Sequence, residues 1–224
     1  MIHECIVSLA DQTLWLLTTL VEAFVVCLFL THRLFRKFFF FNLYLLLLVM
    51  ISIGRYAVLT YSGLGSSTYF YFWYQTDALL TVTLFICIGE LSVRLVGTRL
   101  PARRAALWCA AVLLVTALYS FAVTSGMASR VATRFVFELS QNLYFACCLA
   151  AFLLWVWKLR NQPEDQIAAR FVNVLGVYCL LFSLTYGARQ LGPETARLTA
   201  NMYPMIAAWL PIGSGFALCS PKQP

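Results

Sequence analysis

Seven stretches of about 20 predominantly apolar residues follow one another along the chain. Each is long enough to cross about 30 Å of hydrocarbon as an α-helix rising about 1.5 Å per residue. They fall near residues 12–31, 38–60, 69–93, 105–124, 135–157, 168–188 and 198–218, and they fill the sequence, leaving no room for a soluble domain. With 62% hydrophobic and 11% charged residues, the chain has too little polar surface to cover a water-soluble globule of 224 residues. The expected fold class is therefore all-α: one polytopic membrane bundle of seven transmembrane helices.

Short polar or Gly/Pro/Ser-bearing breaks such as "THRLFRK", "SGLGSST" and "LRNQPEDQ" separate the runs, as expected of one compact bundle over residues 1–224. The first three and last three helices share no repeat signature. The start lacks a basic n-region and its first apolar run is full length and interrupted by Glu22, so a retained span is expected rather than a cleaved signal peptide.

Basic residues set the expected orientation. Arg33, Arg36, Lys37, Arg94, Arg99, Arg103, Arg104, Lys158, Arg160 and Arg170 lie at the first, third and fifth connections, the second has none, and the fourth and sixth hold only Arg130, Arg134, Arg189 and Arg197. Cytoplasmic loops carry the excess of Lys and Arg, so the N-terminus is expected outside and the C-terminus in the cytoplasm of a multi-pass plasma (cytoplasmic) membrane protein. The net charge of +7 follows from this asymmetry and suits anionic cytoplasmic lipids, which removes the reason to expect nucleic acid as a partner.

The charges inside the runs are the informative exceptions. In "YFYFWYQTDALL" (69–80), an aromatic girdle leads into a helix that carries Asp77 about two turns in. Counting at 1.5 Å per residue places Asp77 about 12 Å and Arg55, on the antiparallel preceding helix, about 8 Å from the outer surface, near enough to pair. A charge facing lipid costs several kcal/mol, whereas facing opposite charges offset much of that cost. Such a pair fits either a strut that fixes helix register or a ligand or proton site, and the sequence leaves both open.

Helical spacing puts Tyr74, Asp77 and Thr81 on one face of the third helix and Thr76, Thr83, Cys87, Glu90 and Arg94 nearly opposite, the pattern of a helix central to the bundle. Glu22 sits near the midplane of the first helix, where Thr18 and Thr19 donate only weak hydrogen bonds, so it is expected to carry a proton. Glu138, Gln141 and Asn142 share an arc with Arg134 near the outer end of the fifth helix. With Tyr56, Tyr69, Tyr71, Tyr186, Arg189, Asn201 and Tyr203, these suggest a polar cavity open to the extracytoplasmic side for a small-molecule ligand. The plainer account of the outermost residues is an aromatic belt and headgroup contacts. Glu90 and Arg94, at i and i+4, read as a solvated helix-surface pair.

Enzymatic chemistry finds little support. Only His3 and His32 occur, so no HExxH zinc site and no Ser/His pair can be built inside the bundle, and Ser214 in "IGSG" (212–215) has no base at its depth. Lys37, Lys158 and Lys222 all lie outside the hydrophobic core, which leaves no attachment point for retinal. There is no DRY-like or NPxxY-like segment, Walker loop, dinucleotide fingerprint or haem-attachment motif, so no cofactor or metal is expected. Eight cysteines without a CxxC, all but Cys5 within the runs, read as packing residues. Pro204 and Pro211 are expected to break backbone hydrogen bonds in the last helix and kink it.

These features lead to a non-enzymatic integral membrane protein: a sensor or binding module with a polar outer half, or a membrane subunit of a larger assembly. The residues after about 218 are few, so any signal is expected to pass to a partner protein. The alternative is a small-solute or proton-coupled transporter with Glu22 and Asp77 as titrating groups.

Overall fold

A computed structural model describes residues 9–31, 35–63, 65–97, 100–125, 131–161, 163, 165–189 and 191–219, without the side chains of 9–12, 14, 131, 193, 194 and 196–204. Among the described residues the chain forms seven helices: α1 (Leu9–Thr31), α2 (Phe39–Ser62), α3 (Ser67–Val96), α4 (Ala102–Ser125), α5 (Val131–Arg160), α6 (Gln166–Arg189) and α7 (Pro193–Cys219). Six of them contain a predicted run whole, extended at one or both ends, and α2 begins one residue after the start of its run. Phe39–Ser62, Ser67–Val96, Ala102–Ser125, Ala132–Arg160 and Gln166–Arg189 are long and apolar enough to cross a membrane, and Trp15–Thr31 and Met205–Cys219 are shorter apolar helices. The protein is a multi-span helical membrane protein.

Local chemistry sets several boundaries. The Ser66 side chain accepts the Tyr69 N–H at 3.1 Å, and Asp165 Oδ1 accepts the N–H groups of Ile167 and Ala168 at 3.1 and 3.2 Å, satisfying orphan donors at the starts of α3 and α6. Gly63 and Gly97 end α2 and α3 at φ of 77° and 63°, a region that glycine enters without a Cβ penalty.

The helices alternate in direction. Trp15 meets Ser52, Arg55 meets Thr76, Asn142 meets Ser120, Ser183 meets Tyr144, and Trp209 meets Val174, so each cross-helix contact joins a residue early in one helix to one late in its neighbour. The packing order closes on itself, because α1 touches both α2 and α7. Helix α3 packs on α2, α4, α5 and α6, the central position that its two polar faces predict, and α4 packs mainly on α3 and α5. Accordingly α4 buries only Ala105, Ser120 and Thr124, and leaves Trp108, Leu114 and Phe121 among its exposed apolar residues, as lipid permits.

An aromatic column on α6 occupies the centre. Phe171 stacks on Phe41 of α2 with ring centroids 4.7 Å apart and meets Phe29 of α1 at 5.5 Å. Two and three turns further on, Tyr178 shares a 2.8 Å hydroxyl hydrogen bond with Tyr44, and Phe182 stacks on Tyr144 at 4.9 Å. Small residues allow the close approaches around it: a Cβ on Gly176 would lie 2.6 Å from the Trp155 ring, and one on Gly213 would lie 2.7 Å from Val174.

Helix α7 continues through Pro204 and Pro211, each of which lacks the N–H that would bond one turn back, and Ser214 Oγ donates to the Leu210 carbonyl at 2.5 Å. It packs against α1 and α6.

Candidate functional site

The α2–α3 connection marks one end of the bundle, and Arg55 lies close to it on α2. Its side chain is buried, stacks with Cζ 3.8 Å from the centroid of the Trp73 ring, and donates from Nε to Thr76 Oγ1 at 2.9 Å and from Nη2 to the Trp73 carbonyl at 3.2 Å. The same Nη2 lies 4.0 Å from Asp77 Oδ1. Trp73 and Asp77 are one helical turn apart, so a side chain crossing from α2 meets the ring first and the carboxylate behind it.

Asp77 is 1% exposed and faces the bundle centre, where Asp77 Oδ2 accepts the hydroxyl of Tyr186 on α6. The phenol is itself positioned: its ring lies 5.3 Å from Tyr144 and 5.6 Å from Phe137, both on α5, and the Arg189 guanidinium lies 5.4 Å from its centroid. One guanidinium, one carboxylate and one phenol thus connect α2, α3 and α6. The arrangement can hold a polar or charged group, or pass a proton between oxygens. Among the described residues no group of three or more His, Cys, Asp or Glu side chains is arranged to hold a metal ion.

Of the residues singled out from sequence, Arg55 and Asp77 are brought together. Glu22 is 3% exposed on α1, where Arg55 is near enough to act on it electrostatically. The Glu22 Oε2 atom has no hydrogen-bond partner in the protein among the described residues. Nearby, Trp15 Nε1 donates to Ser52 Oγ at 2.8 Å and the Thr19 and Ser52 hydroxyls lie 2.7 Å apart, so Thr19 one turn away and Trp15 two turns away on α1 are occupied with α2.

The rest of the predicted set disperses. Tyr74 is half-buried and meets Phe137 edge-on at 6.1 Å. Asn142 turns to α4 and donates to Ser120 Oγ at 3.0 Å, a tie between neighbouring helices. Gln141 is buried on α5 and Glu138 is half-buried one turn before it. The side chains of Asn201 and Tyr203 lie outside the described residues.

Sequence reasoning left Trp73 and Thr76 out of the cavity set and counted Tyr186 only among its outer polar residues, not as the partner of Asp77. Trp73 carried a signal, because an aromatic residue four positions before a buried acid shares its face. Tyr186 continues the α6 spacing of Phe171, Tyr178 and Phe182, which all face inward.

The opposite end corrects one expectation outright. Glu90 does lie 3.6 Å from Arg94, but it is not a solvated pair. Its side chain is 12% exposed and crosses to α2, where Oε1 accepts the Phe39 N–H at 2.9 Å and Oε2 accepts those of Phe40 and Phe41 at 3.0 and 3.2 Å. Phe38, the residue before α2, has no capping side chain, so a carboxylate from α3 satisfies the orphan donors in its place. Next to it Cys87 Sγ donates to the Phe40 carbonyl at 2.9 Å, which gives that thiol a structural role.

Comparison with known proteins finds no family model, no characterised protein and no solved structure that matches this chain.

Proposed function

We propose that this chain is a non-enzymatic binding module of the plasma (cytoplasmic) membrane, with its N-terminus extracytoplasmic and its C-terminus cytoplasmic. It receives a small polar ligand from the outer side at the Arg55–Asp77–Tyr186 centre. Orientation follows from the basic connections at the Glu90 end, among them Arg36, Lys37, Arg103 and Arg104, against the uncharged α2–α3 connection at the Arg55 end. A protein partner carries any output.

The observation that carries this reading is the geometry of the buried pair. Charge-assisted N–H···O contacts close to about 2.7–2.9 Å, and a pair kept only as a strut needs close contact to offset the desolvation of both ions. Here the two charges stand 4.0 Å apart, each held by other groups: Arg55 by Thr76 and Trp73, Asp77 by Tyr186. A preorganised but unclosed pair suits a group that enters between or beside them.

Native mass spectrometry of the protein extracted from its own membrane in mild detergent tests this. The expected result is a small molecule retained by the wild type and lost in Asp77→Asn. A stoichiometric protein partner with no small molecule would make the chain a membrane subunit and the Arg55–Asp77 pair structural.

One observation favours a second reading, a proton-coupled transporter of a small solute: the buried Glu22 oxygen that has no hydrogen-bond partner among the described residues. In that case Glu22→Gln and Asp77→Asn abolish uptake into vesicles without preventing folding, and normal uptake in both removes it.

A further inference from the structure

We propose that the groove between α2 and α4, floored by the outer face of α3, binds one anionic phospholipid. Its phosphate lies among the basic residues at the Glu90 end and its acyl chains run along the groove. The site is separate from the Arg55–Asp77–Tyr186 centre and requires only that the bundle spans a membrane.

Contacts around α3 define the groove. Thr76, Cys87 and Glu90 face α2, and Asp77 faces α6. Gly89 faces α4, where a Cβ on it would lie 2.6 Å from Cys109 Sγ. Helices α2 and α4 each pack on α3 but not substantially on one another. At about 100° of turn per residue, the arc of α3 left between them carries Leu79, Val82, Ile86 and Val93, all apolar and all exposed or half-buried. Val93 and Leu79 stand about 21 Å apart along the axis, more than the roughly 15 Å of hydrocarbon in one leaflet.

Charge closes one end of this groove. Arg36 and Lys37 lead into α2, Arg94 lies in the last turn of α3, and Arg103 and Arg104 lie in the first turn of α4, so each bounding helix brings basic residues to the same end. The acids described there are committed: Glu90 accepts three N–H groups of α2, and Asp165 pairs with Lys37 while capping α6. Arg94 Nη2 lies 3.6 Å from Glu90, and its buried Nε has no hydrogen-bond partner among the described residues. Arg36, Arg103 and Arg104 are exposed. One turn further in, the walls turn apolar, with Phe40 on α2 and Trp108 on α4 both exposed. A soluble anion matches the charges alone and an apolar helix matches the groove alone, whereas an anionic phospholipid matches both.

Native mass spectrometry of the full chain in detergent tests this, with phosphatidylglycerol and phosphatidylcholine of identical chains added in equal amounts. The wild type is expected to retain one phosphatidylglycerol in preference to phosphatidylcholine. Each basic residue beside an anionic lipid contributes a factor of about five, so Arg103→Gln lowers the preference about fivefold and Arg103→Gln with Arg104→Gln about 25-fold. Both positions are exposed at a helix start, so the bundle keeps its packing in these variants. Arg160→Gln, an exposed charge at the same end on α5, which does not border the groove, leaves the preference unchanged. Ile86→Trp fills the groove and lowers retention with every charge in place; should it not fold, the charge series decides alone.

Equal retention of the two lipids overturns the proposal. So does an Arg160→Gln loss as large as that of Arg103→Gln, which marks a diffuse charge effect, and so does unchanged retention in folded Ile86→Trp. Displacement of the lipid by millimolar inorganic phosphate overturns it in favour of a soluble anion, and a protein chain retained in place of lipid overturns it in favour of a partner helix. Asp77→Asn is expected to keep the phospholipid, so failure of the central site and failure of this one are read separately.

Discussion

At one end of the bundle Glu90 lies against three backbone N–H groups of α2, and Asp165 caps α6 while pairing with Lys37 at 2.8 Å. At the other end Asp77 faces a phenol and a guanidinium, and Glu22 has an oxygen with no hydrogen-bond partner among the described residues. Backbone donors at a helix start can be lost only by unwinding the turn that carries them, so Glu90 and Asp165 are fixed struts. Side-chain donors move by changing rotamer, so Asp77 can exchange partners while every helix stays in place. The same residue types thus serve architecture at one end and are available for exchange at the other.

The contrast is sharpest where charges are removed. The double variant Glu22→Gln with Asp77→Asn removes both of the described carboxylates that act on buried Arg55 and is expected to cost about 3–5 kcal/mol, measured by denaturant unfolding in detergent. Each single variant removes one of them and is expected to cost less in the same measurement. Strictly additive single effects would break the idea that the two acids share one partner.

Tyr186→Phe removes one hydrogen bond to a charged acceptor, an expected loss of about 1.5–3 kcal/mol, together with altered retention of any small molecule in native mass spectrometry. Stability loss with retention unchanged would make Tyr186 a strut like Glu90. At the opposite end, Glu90→Ala strips the start of α2 of its acceptor and is expected to cost about 1–2 kcal/mol, a range typical of capping side chains, with ligand retention preserved. Loss of retention there would break the division between the two ends.

The smallest effect is expected for Lys37→Met. The Lys37 side chain is 41% exposed, and exposed ion pairs contribute about 0–1 kcal/mol. A thermal-shift comparison with Asp165→Ala, which also removes the α6 cap, separates the ion pair from the cap.

Much of this was legible beforehand. All seven helices could be placed because a chain crossing lipid must satisfy its backbone internally, which leaves long apolar runs as a direct record of the fold. The central place of α3 was legible from its two polar faces, one of which meets α2 through Thr76, Cys87 and Glu90 and the other α6 through Asp77. The Arg55–Asp77 proximity followed from depth alone. Asn142 shows where such reasoning stops: its spacing shares an arc with Glu138, but its amide reaches Ser120, a partner that depends on how α4 rolls against α5.

The "NQPEDQ" turn makes the same point. It reads as a plain polar break between helices, but its Asp165 is committed to Lys37 and to α6. A cap supplied across helices, as Glu90 supplies α2, leaves no local pattern, because donor and acceptor are about fifty positions apart in sequence.

The sequence by itself determined that the chain is a multi-span helical bundle, where the helices lie, and which ionisable residues are buried among them, because hydrocarbon penalises every misplaced charge and every unpaired backbone group. Only the tertiary structure decided what each buried charge faces. Helix rotation and packing distance place a carboxylate against backbone N–H groups at Glu90 and against Tyr186 and Arg55 at Asp77, and neither is encoded within a single helix.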